Sequence, residues 1–344
     1  VPRQLFAPAV YRVDGRGQVG AVLRGDVPGE RDDYLAAVYS DDAIVTQVTD
    51  DGRVTSSSTQ PGVMAVMLEA LDVSDGDTVL EIGTGTGYNA ALLSHRLGDQ
   101  LVTSVDIDAG LVSQARAALA AAGWSPYLAA ADGLAGYPVR APYDRIIATC
   151  SVRRVPAAWL AQTRPGGVVL ANLSYGVVPL RVGADGLGYG RFLRQVCSFI
   201  EARPADGPVG PTTQQIVSTV MGGTGGTRAA GPEVDGWTDQ RFEFFWRLFE
   251  PGVYTCTLLP EGEQIHCLLD ADTGSWARVH QHARKVTVVQ GGVRRLWDDV
   301  ADIYQRWVDA GRPAHDDLWL AVSPDGGHEL SCDRDGQRHI WPLR

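Results

Sequence analysis

The sequence predicts an α/β domain built on a mainly parallel sheet, followed by a smaller α+β unit. Three observations predict it. From Asp77 to about Ala171, apolar runs alternate with segments of helical spacing, as repeated strand-helix units require. A glycine-rich segment, Gly83-Thr84-Gly85-Thr86-Gly87, stands directly between one such run and one such helix, where parallel sheets open their ligand-binding edge. After Ile200 the chain turns Pro-, Gly- and Thr-rich, and the sequence beyond residue 236 no longer alternates in this way. With 344 residues the chain exceeds one core of ordinary size, which also favours two units.

Taken in order, strands are expected at Thr78–Ile82, Leu101–Ile107, Tyr127–Ala130, Arg145–Ala148 and Val168–Asn172. Helices are expected at Tyr88–Leu97, Asp108–Ala122 and Val155–Gln162, from the spacing of their apolar positions. Asp108 is placed to cap its helix at the start and Gly123 to end it. Residues 1–202 form the α/β domain, 203–236 a linker or mobile loop that includes Met221-Gly222-Gly223-Thr224-Gly225-Gly226-Thr227, and 237–344 the second unit. In that unit Arg241–Phe249 is aromatic, Val253–Leu259 and Gln264–Leu269 read as a hairpin, and Val293–Ala310 as an amphipathic helix. Asp325-Gly326 and Asp335-Gly336 mark turns between short terminal strands.

Composition excludes several classes. Apolar residues at 44% and charged residues at 21% describe a chain that folds, and no window approaches the run of apolar residues that a membrane helix needs. A soluble, cytoplasmic protein is expected, with no membrane partner. Five scattered cysteines with no C-x-x-C pair suggest neither disulfides nor a zinc ribbon. His266-Cys267 and His280-Gln281-His282 are the nearest approach to a metal cluster, and no metal is expected. A net charge of −11, with Lys285 the only lysine, repels phosphate backbones, so no nucleic-acid partner is expected either.

The glycine segment narrows the ligand. A dinucleotide fingerprint starting at Gly83 needs a sixth-position glycine, but Tyr88 stands there, which weakens a pyrophosphate-binding, NAD-type reading. Three acids close three successive strands: Glu81 before the loop, Asp106 on the next strand, and Asp132 with Gly133 on the one after. A carboxylate at Asp106 can accept both hydroxyls of a ribose, and a nucleoside cofactor follows from the three together.

Glu81-Ile82-Gly83-Thr84-Gly85-Thr86-Gly87 resembles motif I of class I, Rossmann-like methyltransferases. Val1-Pro2-Arg3-Gln4-Leu5-Phe6, Thr59-Gln60-Pro61 leading into Met64–Glu69, Ala141-Pro142-Tyr143-Asp144-Arg145-Ile146-Ile147, and Val155-Pro156 running on to Arg164-Pro165-Gly166-Gly167 resemble, in order, the protein-L-isoaspartate O-methyltransferase family. The resemblance covers residues 1 to about 200. It implies S-adenosyl-L-methionine as cofactor and S-adenosylhomocysteine as product. The binding set would be Glu81, Gly83, Thr84, Gly85, Gly87, Asn89, Asp106, Ile107, Asp132 and Gly133, with Asp132-Gly133 where such enzymes recognise the adenine.

The same resemblance implies that Thr59, with Ser58 beside it, stands between cofactor and substrate carboxylate as the catalytic pair. A Ser/Thr loop that merely caps the next helix would look the same. Gly62-Val63-Met64 replaces the stretch where many members carry a histidine. The family also places a helix before the Pro-Arg block, so the chain is expected to begin inside its domain. Gly274–Val279 and Gln290–Trp297 look like the branch that works on ribosomal precursor peptides. There an L-aspartate is esterified and closes to an aspartimide, which either persists or hydrolyses to isoaspartate; the partner would be an Asp-bearing peptide or protein. A general isoaspartyl repair enzyme is the first alternative, an NAD-binding protein the second. The third is a peptide-binding module using Trp237, Phe242, Phe244, Phe245, Trp246 and Phe249, although closely spaced aromatics more often form a core.

Overall fold

The computed structural model describes residues 1–13, 19–50, 52–203, 210–224, 226–230, 237, 239–260, 263–282, 285–334 and 336–343. Much of the expected linker at 203–236, and Asp335 of the second expected terminal turn, lie outside them. The chain divides into two compact units, residues 1–206 with 320–328, and residues 207–319 with 329–344.

Unit 1 opens with strands β1 (Ala9–Val13) and β2 (Val19–Arg24), helix α1 (Arg31–Val38), and strands β3 (Ile44–Val48) and β4 (Val54–Ser58). These strands pair antiparallel in the order β2-β1-β3-β4 over a small core that includes Val10, Leu23, Tyr34 and Ile44. Helix α2 (Pro61–Leu71) begins on Pro61, whose missing N–H is lost at no cost in a first turn. The next N–H, of Gly62, donates to the Asp41 carboxylate at 2.7 Å.

The chain then alternates as expected: β5 (Val79–Ile82), α3 (Tyr88–Leu97), β6 (Val102–Asp106), α4 (Ala109–Ala121), β7 (Tyr127–Ala130), β8 (Tyr143–Val152), α5 (Ala157–Ala161) and β9 (Thr163–Leu173). Asp108 caps α4 by accepting from the N–H groups of Gly110 and Leu111, and Gly123 beyond its end has a φ of 88°. Two further strands, β10 (Gly176–Val182) and β11 (Gly188–Arg191), extend the sheet antiparallel at its β9 edge.

From β9 to β7 the order is β9-β8-β5-β6-β7, all parallel. Strand β5 is buried at every position, as a central parallel strand must be. The connections run one way from β5 through β6 to β7 and the other way to β8 and β9. A crevice therefore opens at the carboxyl end of β5, where open α/β sheets bind ligands.

Unit 2 contains helix α6 (Thr213–Gly222), strand β12 (Thr227–Ala230), helix α7 (Gln240–Phe249), strands β13 (Val253–Leu258), β14 (Gln264–Asp270), β15 (Trp276–His282) and β16 (Lys285–Gly291), and helix α8 (Leu296–Asp309). The chain then contributes β17 (Trp319–Val322) to the β11 edge of the unit 1 sheet, and β18 (His328–Arg334) and β19 (Gln337–Leu343) follow. The five strands β12-β16-β15-β14-β13 are antiparallel neighbours.

One sequence expectation is corrected here, and one open alternative is decided in favour of a core. The segment expected as a linker holds α6, closed at its start by a reciprocal Thr212–Gln215 capping box, and also β12. Its glycines pack instead of bending freely: a Cβ on Gly223 or Gly226 would lie 2.4 Å or 2.7 Å from the Trp276 indole. The aromatic run of α7 is core and not a groove, since Phe242, Phe244, Phe245 and Trp246 are at most 1% exposed. Phe242 meets Tyr304 and Trp307 of α8 edge-on or tilted, and Phe245 meets Trp341. Along α8 the buried positions Leu296, Val300, Ile303 and Trp307 recur at helical spacing.

Candidate functional site

The crevice at the end of β5 is a cleft of about 930 Å³, its open mouth included, and it lies wholly within unit 1. Its floor is the loop Gly83–Gly87. Gly83, Gly85 and Gly87 have φ of 100°, 50° and 84°, a region that L side chains avoid. The N–H groups of Gly83 and Thr84 both donate to the Val105 carbonyl, at 2.8 and 3.1 Å, which draws the loop across the end of β6. A Cβ on Gly83 would lie 2.8 Å from Thr149 Oγ1, and one on Gly87 would lie 3.0 Å from the Ala115 Cβ. The glycines hold the loop low, so that bare backbone faces the cleft.

Of the sequence-expected residues, Ser58, Thr59, Glu81, Gly83, Thr84, Gly85, Asn89, Asp106, Ile107, Asp132 and Gly133 all line this cleft, while Gly87 does not and serves as the turn into α3. Asp106 uses both oxygens on backbone: Oδ2 accepts from Gly85 N–H at 2.8 Å and Oδ1 from Asp108 N–H at 3.0 Å. Each oxygen keeps lone-pair capacity for a ligand hydroxyl. Asp132 accepts from Leu134 N–H, which starts the short turn that presents Gly133. Behind that turn the fully buried Trp159 donates its indole N–H to the Gly133 carbonyl at 2.8 Å.

Glu81 is fully buried. It accepts from Asn89 Nδ2 at 2.8 Å and from Ser104 Oγ at 2.6 Å, and Ser104 is itself 2.7 Å from Thr84 Oγ1. Burial pushes its carboxyl up to about 7, against the two hydrogen bonds, which pull it down. Glu81 therefore acts first on protein: it orients the Asn89 amide, whose Oδ1 is buried with no partner. A cleft residue with a spare acceptor suits a ligand ammonium group.

The opposite wall is strand β4 and the residues after it. Ser56 Oγ lies 3.7 Å from where a Gly85 Cβ would stand, so the serine strand abuts the glycine loop. Sequence reasoning missed three contributions. Residues 199–203 line the cleft, pinned where Ser151 N–H donates to the Ile200 carbonyl at 3.0 Å and Ala202 N–H to the Ser151 carbonyl at 2.8 Å. No periodicity announces a single bridge of this kind. Thr149 donates to the Gly83 carbonyl at 2.7 Å, and burial pushes the neighbouring Cys150 thiol up to about 12, which favours the protonated form. Third, Arg3 lies beneath β4, where it donates to the carbonyls of Ser58 and Thr59.

Among the described residues no group of His, Cys, Asp and Glu is placed to hold a metal ion, and no helix is long and apolar enough to cross a membrane. His266 bonds Thr257 and Gln281, and His280 bonds Glu263.

Residues 25–177 match the family model of protein-L-isoaspartate(D-aspartate) O-methyltransferase. Two similar relatives carry the name protein-L-isoaspartate O-methyltransferase. The one from Azorhizobium caulinodans is 46% identical over 115 residues, 33% of this chain and 52% of the relative. That from Anaeromyxobacter dehalogenans is 43% identical over 135 residues, 37% of this chain and 64% of the relative. The chain thus spans about half to two-thirds of the length of these relatives. A solved structure named protein-L-isoaspartate O-methyltransferase superposes with a TM-score of 0.54 at 21% identity, covering 97% of this chain and 92% of its own. The matched segment is homologous to that family, and unit 1 has the class I, Rossmann-like methyltransferase fold with a strand-rich region following it.

Proposed function

We propose that this chain is an S-adenosylmethionine-dependent carboxyl O-methyltransferase acting on aspartyl-derived carboxylates of a peptide or protein. The observation that carries the reading is one cleft in which a bare glycine loop, two strand-end carboxylates and a hydroxyl-bearing strand converge. The residues fit the cofactor. Gly83 and Gly85 leave the space, Asp106 and Asp132 stand at successive strand ends for a nucleoside, and the unpartnered Asn89 Oδ1 suits the methionyl ammonium. When bound, the cofactor supplies an electrophilic methyl group on a sulfonium centre.

The chain's own work is then positional. The acceptor carboxylate is ionised at neutral pH, so no base need remove a proton. With the cofactor held in the cleft, its methyl group would pass to one oxygen of that carboxylate. Ser58 and Thr59 orient the carboxylate, and the backbone at Gly83–Gly87 with Asp106 fixes the donor. Charge is lost towards the transition state, so alignment and exclusion of water supply the rate.

Isoaspartyl residues are the acceptor best supported, because the family model and both relatives carry that name. The narrower reading, esterification of an L-aspartate in a ribosomal precursor peptide leading to aspartimide, rests on the likeness of Gly274–Val279 and Gln290–Trp297 alone. Methyl uptake by matched isoAsp and Asp peptides separates the two. Preference for isoAsp supports repair chemistry; preference for Asp, followed by loss of methanol as the next amide nitrogen attacks the ester, supports the narrower reading. Uptake by neither refutes the proposal.

A further inference from the structure

Arg3 is 2% exposed, and nothing in the chemistry described so far requires a cation there. Its guanidinium spends its donors on neutral oxygens: the carbonyls of Val38, Ser40, Asp42, Ser58 and Thr59, between 2.9 and 3.2 Å. Its Nε–H donates to Ser58 Oγ at 3.2 Å. No carboxylate lies within ion-pair distance of it among the described residues. Asp41 and Asp42 act on it only through space, and burial holds its pKa below the usual arginine value. A buried cation without a counter-ion is costly and rare, and carbonyl dipoles compensate only part of that cost.

Among the described residues the cation's one side-chain hydrogen-bond partner lies at the cleft. Ser58 lines it, and its hydroxyl oxygen is taken as an acceptor by Arg3. The Ser58 proton is then left to donate, and no acceptor for it is present among the described residues. A hydroxyl that accepts from a guanidinium is polarised into a stronger donor. The corner can thus receive an anion: a hydroxyl at the cleft with a proton left to donate, and behind it a positive charge with no ion-pair partner among the described residues. Lysine could not substitute, since its three donors cannot span the two edges and the Nε that the planar fork uses here.

We propose that Arg3 is a positioning residue that commits the Ser58 hydroxyl to the acceptor carboxylate and supplies the positive field that holds it. The proposal rests on the carboxyl-methyltransferase reading. It goes beyond it by placing the acceptor's anion recognition on Ser58 with Arg3 behind it.

The test uses the full chain, S-adenosylmethionine, and isoAsp and Asp peptides, with S-adenosylhomocysteine affinity measured by calorimetry alongside. Ser58→Ala leaves the five carbonyl contacts of Arg3 in place and should fold. It should lower kcat/KM for the better peptide by about 10- to 100-fold, the worth of a hydrogen bond to a charged group, with the S-adenosylhomocysteine Kd changed less than threefold. Arg3→Lys should lower kcat/KM at least as far, and much less once Ser58 is already alanine. Methylguanidinium added to Arg3→Ala should restore part of the loss in the Ser58 background and none without it. If Arg3→Lys does not fold, Ser58→Ala alone decides: unchanged kcat/KM overturns the role. Losses that add independently in the double variant overturn it too. Methylation of neither peptide by the wild-type chain refutes the acceptor class itself, and the role with it.

Discussion

Asp106→Asn isolates the hinge of the site with almost no change of shape. In the structure Asp106 Oδ2 takes the Gly85 N–H at 2.8 Å and Oδ1 takes the Asp108 N–H at 3.0 Å. An asparagine offers one acceptor and one NH₂, so one of these two N–H groups must face a donor. Each bond is made to a charged acceptor, worth about 1.5–3 kcal/mol, and losing one leaves that donor poorly satisfied. The ligand side suffers as well, because two acceptor oxygens for vicinal hydroxyls become one. About 2 kcal/mol corresponds to roughly 30-fold, so the S-adenosylhomocysteine Kd should rise by 10- to 100-fold. Calorimetric titration at fixed pH measures this, with circular dichroism confirming the fold. A Kd within threefold of wild type would mean that Asp106 neither holds the loop for the ligand nor meets it, and the proposed binding set would lose its central member.

Thr59→Ala should slow turnover at least tenfold while the S-adenosylhomocysteine Kd stays nearly constant; equal loss of both would remove Thr59 from the acceptor side. Gly83→Ala must adopt a φ near 100° and press its Cβ to 2.8 Å from Thr149 Oγ1. We expect thermal destabilisation by about 2 kcal/mol or more together with abolished binding, and an unchanged melting profile would contradict the geometry. His328 accepts from Val155 N–H through Nε2 at 2.9 Å, its Nδ1 lies 2.9 Å from the Gly326 carbonyl, and burial pushes its pKa down to about 4. The folded value lies below the unfolded 6.5, so this contribution is complete above pH 6.5. It is lost as pH falls from 6.5 to about 4, by about 3 kcal/mol at most. Melting temperatures across that range should drop less steeply for His328→Gln, and parallel curves for the two proteins would refute the assignment.

The parts of the site that were legible in the sequence are those where one residue type answers one local demand. Three glycines at alternate positions signal bare backbone at a ligand edge, and all three have positive φ; the acids read from the strand ends, Asp106 and Asp132, line the cleft, where they also accept backbone N–H groups. Strand β5 and helix α3 were legible because burial on both faces and a 3.6 period leave distinct patterns. What stayed hidden depends on partners far away in the chain. Arg3 reads as part of a motif, but its acceptors lie 35 to 56 positions on. The bridge between Ser151 and residues 200–202 carries no periodicity. The glycines at 223 and 226 look like flexibility until Trp276 is seen to fill the space their missing side chains leave. The aromatic run of α7 was ambiguous for a related reason: a groove and a core need the same residues, and only burial tells them apart.

The placement of charge around the cleft gives the pieces a common logic. Glu81, Asp106 and Asp132 stand at the ends of β5, β6 and the segment after β7, whereas the cation Arg3 lies under β4 on the other wall. On the proposed reading this division would suit a sulfonium donor and a carboxylate acceptor; Glu201 and Arg203 line the cleft as well. The same arrangement bears on release. On the proposed reading, methylation would turn the acceptor carboxylate into a neutral ester, so the wall of Ser58 and Arg3 would lose its electrostatic complement in the step that forms product. What would still hold the cofactor product is the part of the set that does not depend on the sulfonium charge, the glycine loop and the Asp106 carboxylate. That is why S-adenosylhomocysteine affinity reports on Asp106 and Gly83 and should be blind to Arg3, Ser58 and Thr59.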